Sequence, residues 1–257
     1  MKSPIGIFDS GVGGTSIWKE INRLLPNEDT IYLADSKNAP YGEKPKEEIL
    51  HLSIKNTEFL LEKGCKLIVV ACNTATTNAI DYLREHYDVP FIGIEPAIKP
   101  AALQTKTKKV GVLATKGTLA SSLFHNTSKL HASGIKVFEK EGHGLVELIE
   151  AGQLHSPETK KLLQDYLNPM VEAGIDCLVL GCTHYPYLIP LLQEMLPTNI
   201  NIIDSGEAVA RQAKTVLVKN DLLNDGNPPF THQFFTNKDV SILNKFADIT
   251  RASFLDF

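Results

Sequence analysis

Cys72 closes the apolar run Leu67-Ile68-Val69-Val70-Ala71 and is followed by Asn73-Thr74-Ala75-Thr76; Cys182 closes Leu178-Val179-Leu180-Gly181 and is followed by Thr183-His184-Tyr185-Pro186. A free thiol titrates at about 8.5, so amide, hydroxyl and imidazole neighbours can tune it to take up and return a proton near neutral pH. After Cys72 a helix should begin, and its partly positive end is expected to lower the thiol pKa. After Cys182 an imidazole lies two residues on. Either cysteine alone reads equally well as a small buried core residue, but a pair at matching places reads as one two-thiol site.

Two further segments offer groups that could hold a substrate. Asp9-Ser10-Gly11-Val12-Gly13-Gly14-Thr15 follows an apolar run and opens a helix, which places its backbone N–H groups to hold an anion. Position 16 is Ser and no Walker lysine follows, so the segment is neither a dinucleotide fingerprint nor a P-loop, and a plain glycine turn is the bland alternative. Pro40-Tyr41-Gly42 lies in a polar loop after Asp35-Ser36-Lys37-Asn38, where the Tyr hydroxyl and free N–H groups could bind a carboxylate; otherwise it is a turn.

The elements that must carry these residues are legible as alternating strands and helices. Short apolar, β-rich runs bounded by Gly or polar residues read as buried parallel strands, at 4–8, 30–34, 67–71, 91–94, 109–114, 135–139, 177–180 and 201–203. Helical stretches fall at 46–63, 76–86, 119–133, 157–173 and 187–196. The fold class is therefore α/β, with mostly parallel sheets flanked by helices and right-handed crossovers. The chain also repeats weakly: Gly6-Ile7-Phe8-Asp9-Ser10-Gly11 corresponds to Gly111-Val112-Leu113-Ala114-Thr115-Lys116, the two Cys runs correspond, and Phe91-Ile92-Gly93-Ile94 corresponds to Asn201-Ile202-Ile203-Asp204. An offset of that size, far beyond a solenoid repeat, indicates a duplicated domain. Two pseudo-symmetric lobes are expected, residues 1–97 with 206–257 and residues 98–205, with the active site in the cleft between them. The tail should add a helix at 206–218 and a strand at 233–236 to the first lobe. Ligands gather outside the carboxyl ends of such strands, where both cysteines fall.

With 43% apolar and 22% charged residues in 257, the composition is that of an ordinary globular protein. A net charge of −4 gives no footprint for nucleic acid, and Lys106, Lys108 and Lys109 read as a solvated connection before a strand. The first ten residues reach Asp9 before any signal-peptide core could form, and no apolar run approaches the roughly 20 residues of a membrane span, so a cytoplasmic location is expected. Four cysteines in such a chain are expected to stay reduced. Zinc is disfavoured because Cys65 to Cys72 is too wide for a knuckle, while Cys65 and Cys177 sit at strand starts as small hydrophobes.

Phe8-Asp9-Ser10-Gly11-Val12-Gly13-Gly14, Pro40-Tyr41-Gly42, Ala71-Cys72-Asn73-Thr74-Ala75 and Gly181-Cys182-Thr183-His184-Tyr185-Pro186, in this order over nearly the whole chain, resemble the glutamate racemases, a bacterial branch of the aspartate/glutamate racemase superfamily. The resemblance implies racemisation of glutamate, supplying D-glutamate for peptidoglycan, with no cofactor and no metal, by a homodimer that binds neither nucleic acid nor membrane. It implies that Cys72 takes the proton from D-glutamate and Cys182 from L-glutamate, and that Asp9, Ser10, Tyr41, Gly42, Asn73, Thr74, Thr183 and His184 hold the substrate. Asp9, His184 and Glu150 are implied to assist the cysteines; Glu150 lies in Gly144-Leu145-Val146-Glu147-Leu148-Ile149-Glu150, which by itself reads as a solvated helix face. An aspartate or hydantoin racemase, a redox protein with a reversible Cys72–Cys182 disulfide and a binding module without catalysis remain as alternatives; the absence of a Cys-x-x-Cys pair weighs against the second.

Overall fold

The computed structural model describes residues 3–224, 226 and 229–257, so the first two residues of the amino-terminal segment weighed above lie outside it. The strands are β1 (Ile5–Asp9), β2 (Thr30–Ala34), β3 (Leu67–Val70), β4 (Phe91–Gly93), β5 (Lys109–Ala114), β6 (Lys136–Glu141), β7 (Cys177–Gly181), β8 (Asn201–Ile203), β9 (His232–Thr236) and β10 (Ser253–Phe254). The helices are α1 (Thr15–Leu24), α2 (Lys46–Glu62), α3 (Asn73–His86), α4 (Ile98–Gln104), α5 (Lys116–Leu119), α6 (Ser122–His131), α7 (Leu145–Glu150), α8 (Pro157–Glu172), α9 (Ile189–Met195), α10 (Gly206–Lys219) and α11 (Val240–Ala247).

Two parallel sheets result, one in the order β10-β9-β2-β1-β3-β4 and one in the order β6-β5-β7-β8. The second repeats the β2-β1-β3-β4 core of the first, strand for strand, as the sequence correspondences require. β1, β3 and β7 are buried along their whole length, and β5 is buried beyond Lys109, which is why they read as apolar runs. One apolar cluster runs from Ile7 and Val69 of the first sheet to Leu178 of the second and Leu145 and Leu163 of the helices α7 and α8, so the two halves share a core.

The carboxy-terminal segment sets β9 beside β2 and packs α10 on α1. Its entry is fixed by a buried ion pair: Lys66 Nζ lies 2.6 Å from Glu28 Oε2 and donates to Leu222 O, while Asn224 N donates to Glu28 Oε1. Removing one partner of such a pair costs about 3–5 kcal/mol, because the other is left buried and uncompensated.

Local chemistry moves several element boundaries. Cys72 itself caps α3 by accepting from Ala75 N, so the helix starts at Asn73 instead of Thr76. The stretch expected as one helix over 119–133 is two, because Thr115 caps α5 and Ser121 caps α6 through their hydroxyls. A 3-10 turn, Tyr185–Leu188, precedes α9.

Candidate active site

The carboxyl ends of β1, β3, β5 and β7 face one another, and each delivers a polar residue within two positions of the strand's end: Asp9 and Ser10, Cys72, Thr115, and Cys182. Ser10, Cys72, Thr115 and Cys182 line a cavity of about 10 Å³, roughly the room of one water molecule, while Asp9 lies against Cys72 without lining it. Tyr41, Gly42, Asn73 and Thr74 from the first sheet's loops meet Val146, Thr183 and His184 around it. All four cysteines are free and buried. Among the described residues no group of three or more His, Cys, Asp or Glu is arranged to hold a metal ion.

Cys72 Sγ lies 3.7 Å from Ser10 Oγ and receives Ala75 N at 3.5 Å. The helix end does not govern its proton affinity. Burial, and then the negative charge of Asp9, push the thiol well above its ordinary value, and the Ala75 and Ser10 contacts oppose this only in part. Cys72 therefore rests as a protonated thiol.

Cys182 has a different neighbourhood. Its Sγ is 3.7 Å from His184 Nδ1, and His184 Nε2 is 2.6 Å from Glu150 Oε1. Burial alone would lower the imidazole pKa, but its bonds to Cys182 and Glu150 outweigh that and raise it well above the usual value. Burial likewise disfavours the Glu150 carboxylate, yet His184, Val12 N at 2.7 Å and Ser36 Oγ at 3.1 Å bring its pKa below the usual carboxylate value. An imidazolium thus sits between the Glu150 carboxylate and the Cys182 sulfur. The position of Glu150 departs from the solvated face that its segment suggests: α7 turns it into the cleft, with 9% of its side chain exposed.

The glycine segment does bind anions, but they are the protein's own. Gly14 N donates to Asp9 Oδ2 at 2.8 Å, Gly11 N reaches the same oxygen at 3.3 Å, and Val12 N is taken by Glu150. A side chain at Gly11 would collide with the Glu150 carboxylate and one at Gly13 with the His184 ring, so glycine is required here for close approach. Asp9 in turn receives Thr183 Oγ1 at 3.4 Å across the cleft, and burial holds its carboxyl above the ordinary value against the opposing His184 charge and Gly14 N–H.

Around the rest of the cavity, Tyr41 lines the wall, but its hydroxyl is already used: it donates to Asp35 Oδ2 at 2.5 Å and accepts from Asn56 Nδ2 at 3.2 Å. Any contact of residues 40–42 with a ligand therefore falls to the backbone and not to the phenol expected from the sequence. Asn73 donates to Ile94 O at 3.5 Å, while its Oδ1 is buried with no partner, an acceptor available to a bound cation. Thr74 Oγ1 meets Thr115 Oγ1 at 2.8 Å from the opposite sheet. Thr115 and Val146 were not singled out from sequence. The repeat contained the signal for Thr115, since it stands where Ser10 stands in the first copy; for Val146 the sequence has none.

The sequence profile of the Asp/Glu/Hydantoin racemase family matches residues 5–213. A glutamate racemase of Herpetosiphon aurantiacus is 49% identical over 92% of this chain and 93% of its own. Among solved structures, a glutamate racemase isoform from Bacillus anthracis superposes with a TM-score of 0.87 at 33% identity over 99% of this chain and 97% of its own. The Escherichia coli glutamate racemase, solved in complex with L-glutamate and the activator UDP-MurNAc-ala, gives the same TM-score and identity over 98% of each chain.

Proposed function

The chain belongs to the Asp/Glu/Hydantoin racemase family, among its glutamate racemases, and from that premise we propose that Cys72 and Cys182 interconvert L- and D-glutamate by moving protons at opposite faces of the α-carbon. The D-glutamate so formed supplies peptidoglycan synthesis. The observation that carries the reading is the placement of two thiols around one buried cavity, each at the end of the equivalent strand of its own sheet.

Inversion requires one group to remove the α-proton and another to deliver a proton on the far side. For L-glutamate, Cys182 acts as a thiolate paired with the His184 imidazolium and takes the α-proton to become a thiol, while Cys72, kept protonated by burial, gives its proton to the opposite face and becomes the thiolate. For D-glutamate the roles exchange. The orphan Asn73 Oδ1 suits the substrate ammonium, while Thr74, Thr183 and the backbone of Tyr41 and Gly42 suit its carboxylates. Ser10 and Asp9 border Cys72 and complete that wall. Each placed acid or base contributes about 10²–10⁴ in rate and each donor aimed at developing charge about 10²–10³. Positioning and exclusion of water supply the remainder.

Cys72→Ala and Cys182→Ala should each lose at least about 10²-fold in kcat with the fold intact by circular dichroism. The decisive measurement starts L-glutamate in deuterated water. Early D-glutamate should carry deuterium at the α-carbon while unreacted L-glutamate stays protonated, because the abstracted proton rests on the face from which it would be returned. Early product that retains its original hydrogen would overturn the two-thiol reading. The same reading takes residues 1–97 with 206–257 and residues 98–205 as the lobes, on the sheet membership of their strands, and takes the protein as a cytoplasmic homodimer, whose mass light scattering would check.

A further inference from the structure

Beneath the 40–42 turn lies a carboxylate that the proton chemistry does not use. Asp35 is completely buried at the end of β2, and among the described residues it has no Lys, Arg or His within ion-pair distance. Neutral donors alone hold it: Tyr41 hydroxyl on Oδ2 at 2.5 Å, and Asn38 Nδ2 at 2.8 Å with Asn237 Nδ2 at 2.5 Å on Oδ1. Asn237 comes from the tail, just past β9, and its own Oδ1 receives Lys37 N at 2.9 Å, which fixes the amide orientation. A fully buried carboxyl group whose two oxygens are both taken, by Asn38, Tyr41 and Asn237, ties the end of β2, the 38–41 loop and the tail together.

We propose that Asp35, held by Asn237 of the carboxy-terminal segment, is a positioning residue that fixes the Tyr41 side of the cavity and so sets the affinity for glutamate. The inference rests on the proposed function in taking residues 40–42 as a substrate-facing wall. A carboxylate suits the position because both of its oxygens accept. An amide at 35 must turn its NH2 either toward Tyr41, whose hydroxyl already accepts from Asn56, or toward the Asn38 and Asn237 donors. Turned toward Asn38 and Asn237 the NH2 meets two other donors; turned toward Tyr41 it makes the phenol an acceptor and ends its donation to residue 35, which frees the ring and with it the backbone of Gly42 that packs on Thr115.

The mismatch suggests its own repair. With Asn at 35 and Asp at 237, the amide oxygen can accept from Tyr41 and its NH2 can donate to the new carboxylate, which still receives Lys37 N; Asn38 Nδ2 alone loses its acceptor and must turn away. The test compares Asp35→Asn, Asn237→Asp and the double exchange, reading kcat and KM for both enantiomers, and the glutamate dissociation constant by calorimetry in a Cys72→Ala, Cys182→Ala background where no turnover occurs. Each single exchange should raise KM and the dissociation constant roughly tenfold or more, with a smaller change in kcat, and the double exchange should recover most of the affinity. If a single variant does not fold, a folded double exchange with near-normal affinity still supports the assignment. A folded Asp35→Asn with unchanged KM, or a double exchange no better than the worse single, would overturn it. Failure of the unmodified protein to racemise glutamate would instead strike the proposed function, so the two failures are distinct.

Discussion

At Cys72 the largest influence is burial, followed by the charge of Asp9, and both favour the protonated thiol, whereas Cys182 stands beside an imidazolium braced by Glu150. Under the proposed function the two thiols therefore have different supports, burial at Cys72 and an adjacent imidazolium at Cys182. Glu150→Gln tests the second. The amide keeps an acceptor for Val12 N and His184 but removes the negative charge that helps hold the imidazolium, so the His184 pKa must fall. If the imidazolium form is the active one, the alkaline limb of kcat/KM for L-glutamate moves to lower pH, and activity above that limb drops by about 10-fold or more. A pH–rate profile over both limbs measures it. An unmoved alkaline limb with a uniformly lower rate would mean that Glu150 acts through geometry alone.

Strand ends and helix starts do the positioning, and the glycine segment between β1 and α1 is the element on which the two halves of the site lean. Ser16 Oγ reaches Thr183 O at 3.0 Å, and Gly13 leaves just the room that the His184 ring fills. Gly13→Ala should therefore destabilise the fold by about 1–3 kcal/mol, read as a lower urea midpoint, and lower kcat/KM because the ring must shift. A neutral effect on both would show the segment to be adaptable. The central strands were legible because burial on both faces leaves nearly unbroken apolar runs, and the cysteine placement was legible because it rides on two of those runs, whereas β10, two exposed residues at the sheet edge, gave no such signal. What was not legible lies between elements. Glu150 looks like any acidic residue on a short helix until a second sheet is packed against it, and Asp35 reads as loop polarity until β9 brings Asn237 alongside. The glycine N–H groups looked free because sequence cannot tell that Asp9 and Glu150 take them first. Periodicity reports which face of one element is apolar, whereas these roles depend on which polar group another element delivers.

At the scale of the whole molecule the site is closed. A cavity of about 10 Å³ cannot admit a five-carbon dicarboxylate, so the substrate enters only if the two sheets part along the contacts that meet over it. Those contacts include Thr74 to Thr115 at the cavity wall and, farther out, His143 Nδ1 to Glu43 Oε1 at 3.1 Å, beside the bonds of Asp9 to Thr183 and of Glu150 to Val12 and Ser36. The outer pair is exposed, 71% at His143 and 50% at Glu43, and such a pair contributes only about 0.2–1 kcal/mol, so it marks the line of separation without locking it. A lock can be built there. Cysteines at 43 and 143 joined by a short, reducible thiol-reactive linker should abolish turnover, and cleavage of the linker with dithiothreitol should restore it. The unlinked double variant should keep near-normal kcat, since neither side chain touches the thiols. The native cysteines, at most 7% exposed, are poor targets for the reagent, and the unsubstituted protein treated in the same way controls for them. Turnover that survives in the linked protein would mean that glutamate reaches Cys72 and Cys182 without separation of the lobes at this pair, and the closed cavity would then have to admit it by loop movement around residues 40–42 alone.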